Sequence, residues 1–120
     1  MSRRQTDWVT LRHQLRKEAG QFREELAKRQ QYRCLYCEAS VYTQQYLQLL
    51  GYTDIRVAKC GRVIRGRRYG FDIDFPYATV DHLRDISEGG TSLEANLVVA
   101  CYACNQAKAE RSRQVRRCRG

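Results

Sequence analysis

Residues Val80 to Lys108 read VDHLRDISEGGTSLEANLVVACYACNQAK, and this stretch decides the fold. Asp81-His82 closes a short apolar run, and Gly89-Gly90 permits a tight reversal. Leu97 to Ala100 is apolar and short enough for a strand, and Cys101 to Cys104 opens a basic helix. The order is strand, loop, strand, helix. Asp81, His82, Asn96 and Asn105 fall at its junctions.

Cys101 and Cys104 form one Cys-x-x-Cys pair, and CLYC, Cys34 to Cys37, forms another. Two intervening residues let a tight knuckle aim both sulfurs at one ion. Two such knuckles make a closed, structural four-thiolate site for Zn²⁺. The gap between the pairs is longer than in a simple zinc ribbon. Buried free thiols or one redox-active pair are the alternatives, but a thioredoxin-like strand-CxxC-helix in a parallel sheet is not written here. Cys60 reads as a small strand or turn residue and Cys118 as a free thiol in the basic tail.

The chain has 120 residues, the length of one domain. Its core is modest, and a metal staple would help it. Lys and Arg outnumber Asp and Glu by 22 to 13, for a net charge of +9. That excess points to a polyanionic partner, above all nucleic acid; a ribosome-like or membrane-surface role fits the charge equally well. No run is long and apolar enough to cross a bilayer, and the start, MSRRQTDW, lacks a signal-peptide core. A reducing cytoplasm is the expected location, where paired cysteines more often hold metal than form disulfides.

Upstream, Trp8, Leu11, Leu15, Phe22 and Leu26 mark one face of a helix that Gly20 bends or splits. His13 reads as a solvated surface residue. A second helix places Tyr42, Tyr46, Leu49 and Leu50 on one stripe and ends at Gly51. The segment from Asp54 to Val80 is rich in Ile, Val, Phe and Tyr. It predicts two to four short strands with turns near Gly61, Gly66 and Gly70, and Pro76 at a strand edge or start. Arg56 to Arg68 holds six basic residues and no acidic one. With Lys108 to Arg119 it offers a phosphate-binding surface, Arg62, Arg65, Arg67, Arg68, Lys108 and Arg111 being the residues expected to bind nucleic acid; a solvated basic face is the alternative. Tyr69 and Phe71 are expected to pack in the core rather than stack on bases.

Phosphodiester hydrolysis needs a group to activate water and a cation to neutralise the phosphate and the departing oxygen. Histidine suits the first task. A divalent ion on the oxygens of Asp81 and Asn105 suits the second. Neighbours on a regular strand point to opposite faces, so Asp81 and His82 share a site only where the strand twists or ends.

The ordered set Asp81-His82, Gly89-Gly90, Asn96-Leu97 and C-x-x-C-N-x-x-K, Cys101 to Lys108, resembles the HNH nucleases whose ββα-metal core is braced by four cysteines. The resemblance covers Asp81 to Lys108 and takes in Cys34 and Cys37. It implies an α+β fold: a small zinc-braced ββα-metal core with an N-terminal helix and a short antiparallel β insertion. Residues 1–33 would form the helical segment and 34–120 the nuclease domain, with 41–77 as the helix-plus-β insertion. His82 would be the general base, and Asp81 and Asn105 the ligands of Mg²⁺ or a similar ion. Asn96 would orient the histidine, Lys108 would meet the phosphate, and Cys34, Cys37, Cys101 and Cys104 would hold one structural zinc. The substrate would be DNA, RNA not being excluded, with no membrane partner and with monomer or homodimer undecided. Asp85 stands where the family often has proline, and reads as a loop residue. The rival class is a non-catalytic zinc module or a nucleoprotein subunit.

Overall fold

The computed structural model describes residues 14, 17–83 and 93–119, the side chains of 112–119 excepted. Trp8, Leu11, His13, Leu15, Asp85, Gly89 and Gly90 therefore lie outside the described residues, as does the side chain of Cys118.

Residues 17–20 are helical, 21–22 turn, and helix α1 runs Arg23–Arg29. The break therefore follows Gly20, and α1 presents Leu26 and Ala27 to the core. Gln31 and Tyr32 then adopt positive φ, both 56°, which stops the helix short of Tyr32.

Helix α2, Gln44–Leu49, is capped by Thr43, whose Oγ1 accepts from the Tyr46 amide and donates to the Glu24 carboxylate. This buried threonine satisfies an orphan amide of α2 and ties it to α1. Tyr46 stacks on Tyr32 and Tyr42, Tyr42 meets Phe75, and Phe75 meets Tyr52 edge-on. The tyrosine part of the expected stripe thus packs in an aromatic cluster, with Tyr42 and Tyr46 half-buried. Leu47 is the fully buried leucine of α2, whereas Leu49 is 79% exposed and Leu50 39%. The helix is only six residues long and starts after Tyr42, so the stripe drifts off the packed face.

Strands β1 (Thr53–Val57), β2 (Val63–Arg68) and β3 (Phe71–Pro76) form an antiparallel sheet in that order. Gly61 lies in the first connection and Gly70 in the second, as expected. Gly66 is not a turn. It sits inside β2, where a Cβ would meet Tyr52 Cβ at 3.0 Å. A missing side chain here serves close packing rather than backbone freedom. Pro76 ends the edge strand β3, where no ladder amide is lost.

Strands β4 (Thr79–His82) and β5 (Leu97–Ala100) form a second antiparallel pair, with Thr79 opposite Ala100 and His82 opposite Leu97. A 3-10 turn, Glu94–Asn96, leads into β5, and helix α3, Tyr102–Arg119, follows it. The β4-β5-α3 unit is the two-strand-and-helix arrangement expected from the opening stretch. Its core joins Leu97, Val99 and Ala100 to Leu26, Ala27, Cys34, Val41 and Ala78. Gln30 fixes α1 on β5 by bonding both the amide and the carbonyl of Val99, each at 2.9 Å. A parallel bridge between Tyr42 and Tyr77 ties the segment ahead of α2 to the β3-β4 connection.

Candidate active site and metal centre

The first knuckle is built by backbone bonds. The Cys34 amide donates to Ala39 O, and Glu38 N returns to Cys34 O. An Arg33–Ser40 bridge closes its base, and Leu35 N docks on Val99 O. The second knuckle is the first turn of α3, where the Cys104 amide points at Cys101 Sγ, 3.5 Å away. All four sulfurs, of Cys34, Cys37, Cys101 and Cys104, lie within 4.8 Å of one another. Cys37 and Cys101 Sγ are 3.8 Å apart, too far for a disulfide. A tetrahedral zinc with ~2.3 Å bonds puts its sulfurs ~3.8 Å apart. Cys60 is exposed and outside the cluster.

The thiol chemistry fits a cation. Burial pushes the Cys34 thiol up, but amides of Cys37, Cys101 and Tyr36 outweigh it and bring it down to about 7. The Cys101 hydrogen bond, then burial, pushes Cys104 up to about 12, and burial raises Cys101. Sulfurs this close resist joint ionisation unless a positive ion sits among them. The cluster is a zinc-type site by donor identity, number and spacing.

Asp81 lies beside this centre. It is buried, 8% exposed, on the face of β4 toward α3. Its Oδ2 accepts from Tyr36 Oη at 2.9 Å and from Lys108 Nζ at 3.2 Å. Lys108 Nζ also donates to the carbonyl of His82. Burial, followed by the bond to Asp81, raises the Tyr36 phenol above its ordinary range, so it stays a donor.

Asn105 lies one helical turn before Lys108, and its Nδ2 donates to Thr79 Oγ1 at 3.4 Å. Thr79 and Asp81 share a strand face. The structure therefore brings Asn105 and Asp81 to the same side of β4, with Asn105 bonded to Thr79. His82 is half-buried and ends β4; Leu83 bends away, its amide held by Asn96 O at 2.8 Å. His82 is the last paired residue of β4, opposite Leu97, and Asn96 secures that end through its backbone.

The predicted nucleic-acid residues fall into distinct settings. Arg62 stacks over the Tyr102 ring at 4.2 Å, joining the β1-β2 connection to α3. Arg65 grips Asp74 with both Nε (2.6 Å) and Nη2 (3.2 Å). Arg67 reaches Gly70 O, Arg68 covers Tyr52 and Tyr69, and Arg111 is exposed one turn beyond Lys108. Tyr69 and Phe71, expected in the core, are 83% and 70% exposed. The two-residue turn between β2 and β3 carries them outward.

Sequence reasoning passed over Tyr36 and Thr79. Tyr36 had a legible signal: a hydroxyl-tipped ring inside a two-residue knuckle gap has few directions to point. Thr79 is visible only once the register sets it opposite Ala100, whose carbonyl it bonds at 2.6 Å.

The site is thus a knuckle-braced ββα unit with a buried carboxylate facing its helix. Residues 58–111 match the family model HNH endonuclease. The matched span runs from the end of β1 into α3, and it includes Asp81, His82, Asn96, Cys101, Cys104, Asn105 and Lys108. No curated protein and no solved structure matches the chain. Among the described residues no helix is long and apolar enough to cross a membrane.

Proposed function

We propose that this protein is an HNH endonuclease that hydrolyses phosphodiester bonds in DNA. The observation that carries the reading is the buried Asp81 carboxylate on β4, faced by α3 with Asn105 and Lys108 one turn apart. Carboxylate and amide oxygens are the hard donors that Mg²⁺ takes, and Asp81 already attracts an ammonium. A divalent ion held by Asp81 and Asn105 would neutralise charge on the phosphate and the departing 3′ oxygen.

The chain's own residues supply the rest. Neutral His82 removes a proton from the attacking water, help worth ~10²–10⁴-fold. Asn96 steadies the strand end that aims His82. Tyr36 holds one Asp81 oxygen and so fixes the direction of the other. Lys108 withdraws from Asp81 toward the phosphate as substrate arrives. Arg62, Arg67, Arg68 and Arg111 hold the backbone without choosing sequence, and Arg65 would join them only when released from Asp74. The products carry 5′-phosphate and 3′-hydroxyl ends.

A zinc held by Cys34, Cys37, Cys101 and Cys104 would brace the site rather than do chemistry, since four thiolates would fill its shell. Plasmid nicking with and without Mg²⁺ tests the reading. His82→Ala should abolish cutting while fold, zinc content and DNA binding persist; a variant that cuts normally refutes the assignment. One observation favours a second reading: the Lys108 ammonium already satisfies Asp81, as a non-catalytic zinc-containing nucleic-acid module would need. That reading predicts DNA binding with no Mg²⁺-dependent cleavage.

A further inference from the structure

The β2-β3 hairpin carries a feature that the cleavage chemistry does not use. Its two-residue turn is Tyr69-Gly70, with φ of 52° and 80°. Both central residues thus have the positive φ of a type I′ turn, which favours Asn-Gly and disfavours a bulky ring at the first position. Tyr69 adopts this conformation without packing into any core, being 83% exposed. Phe71 is 70% exposed and stands opposite Arg68. Arg68 lies over the Tyr69 ring at 4.9 Å and donates to its hydroxyl at 3.3 Å. Arg68, on the same face as Phe71, has no carboxylate partner among the described residues. Alternation sends Asp72 and Asp74 to the opposite face of β3 from Phe71.

We propose that this fingertip, Arg68, Tyr69 and Phe71, is a second DNA-contacting surface that stacks on unpaired bases. Exposed rings beside a guanidinium that no carboxylate neutralises suit a strand that offers base faces and phosphates together. Duplex bases show only their edges, and separating them costs a few kcal/mol per step. A strand with unpaired bases, as in a flap, fork or gap, is the partner that meets both groups at least cost. Phe71 lies ten positions before Asp81, hence at most about 36 Å away, about one turn of duplex. The fingertip can hold an unpaired stretch while Asp81 faces the adjoining duplex. DNA as the partner is taken from the nuclease reading; the role of the fingertip is separate from it.

The test is fluorescence anisotropy with a single strand, a duplex and a duplex bearing a single-stranded flap. No divalent ion is added, so nothing is cut. The variants are Phe71→Ala, Tyr69→Phe and Tyr69→Asn; the last gives the turn its preferred residue and keeps the hairpin folded. Phe71→Ala and Tyr69→Asn should weaken binding to the single strand and the flap about tenfold, the scale of one lost stack. Duplex binding should change less than about twofold, and Tyr69→Phe should bind as wild type. Equal loss on all three DNAs, or no loss on any, overturns the proposal. Wild type binding none of the three overturns the nuclease reading as well; wild type binding all three, matched by the variants, overturns the fingertip alone.

Discussion

Tyr36 connects two parts of the molecule that the sequence presents separately. Its backbone sits inside the first knuckle, and its hydroxyl sits on the Asp81 carboxylate. Metal bracing and carboxylate geometry are thereby coupled through one side chain. A hydrogen bond to a charged group contributes ~1.5–3 kcal/mol, and aim matters as much as strength. Tyr36→Phe should keep one zinc per chain and lower the melting temperature by only several degrees, the scale of one lost hydrogen bond to a buried carboxylate. Its single-turnover cleavage should fall about tenfold with little change in KM for DNA, and Mn²⁺ binding should weaken in parallel. Full activity together with full Mn²⁺ affinity would show that Asp81 needs no help from Tyr36. Lys108 is the counterpart on the helix side. Lys108→Met removes the ammonium that competes for Asp81, so Mn²⁺ should bind more tightly while cleavage slows. Calorimetric titration reads the first effect and a nicking assay the second.

At the scale of elements, what was legible followed from local rules. Cys-x-x-Cys spacing gave the knuckles, short apolar runs gave β4 and β5, and Gly51 and Gly70 marked real chain reversals, with φ of 94° and 80°. The failures came where tertiary contact overrides composition. Gly66 looks like a turn residue, but the Tyr52 ring packs on it, which no local pattern announces. Leu47 is buried in place of Leu49 because α2 is short and its direction is set by Thr43 and Glu24. Gly66→Ala should cost about 1–3 kcal/mol by overpacking, read as a lower melting temperature with zinc retained. The knuckles are joined across 64 positions between Cys37 and Cys101. Cys34→Ser or Cys101→Ser should lose metal and thermal stability together, and chelation of the wild type should reproduce the loss. A zinc-free chain that melts at the wild-type temperature would remove the bracing role.

Across the whole molecule, the net charge of +9 conceals how the basic residues are deployed. The run Arg56 to Arg68 reads as one continuous positive surface, yet folding divides it. Alternation along β2 places Arg65 and Arg67 on the face that carries Asp72 and Asp74 from β3. There Arg65 holds Asp74 and Arg56 reaches Asp72 at 3.4 Å. The acids come from a neighbouring strand, so the neutralisation cannot be seen in the run itself. Asp74, held by Arg65, titrates below the ordinary carboxylate range, so the pair stays charged at neutral pH. Such exposed pairs add little stability, but each removes one guanidinium from the field that a phosphate meets. Asp74→Asn should therefore leave the melting temperature nearly unchanged and tighten DNA binding several-fold at low salt. If the freed Arg65 neutralises one more phosphate, the slope of log K against log salt steepens by about 0.9 on duplex DNA. Anisotropy titrations across a salt series measure both quantities. An unchanged slope would place this face of the sheet away from the DNA, and phosphate binding would then rest on Arg68, Arg62 and the α3 residues Lys108 and Arg111.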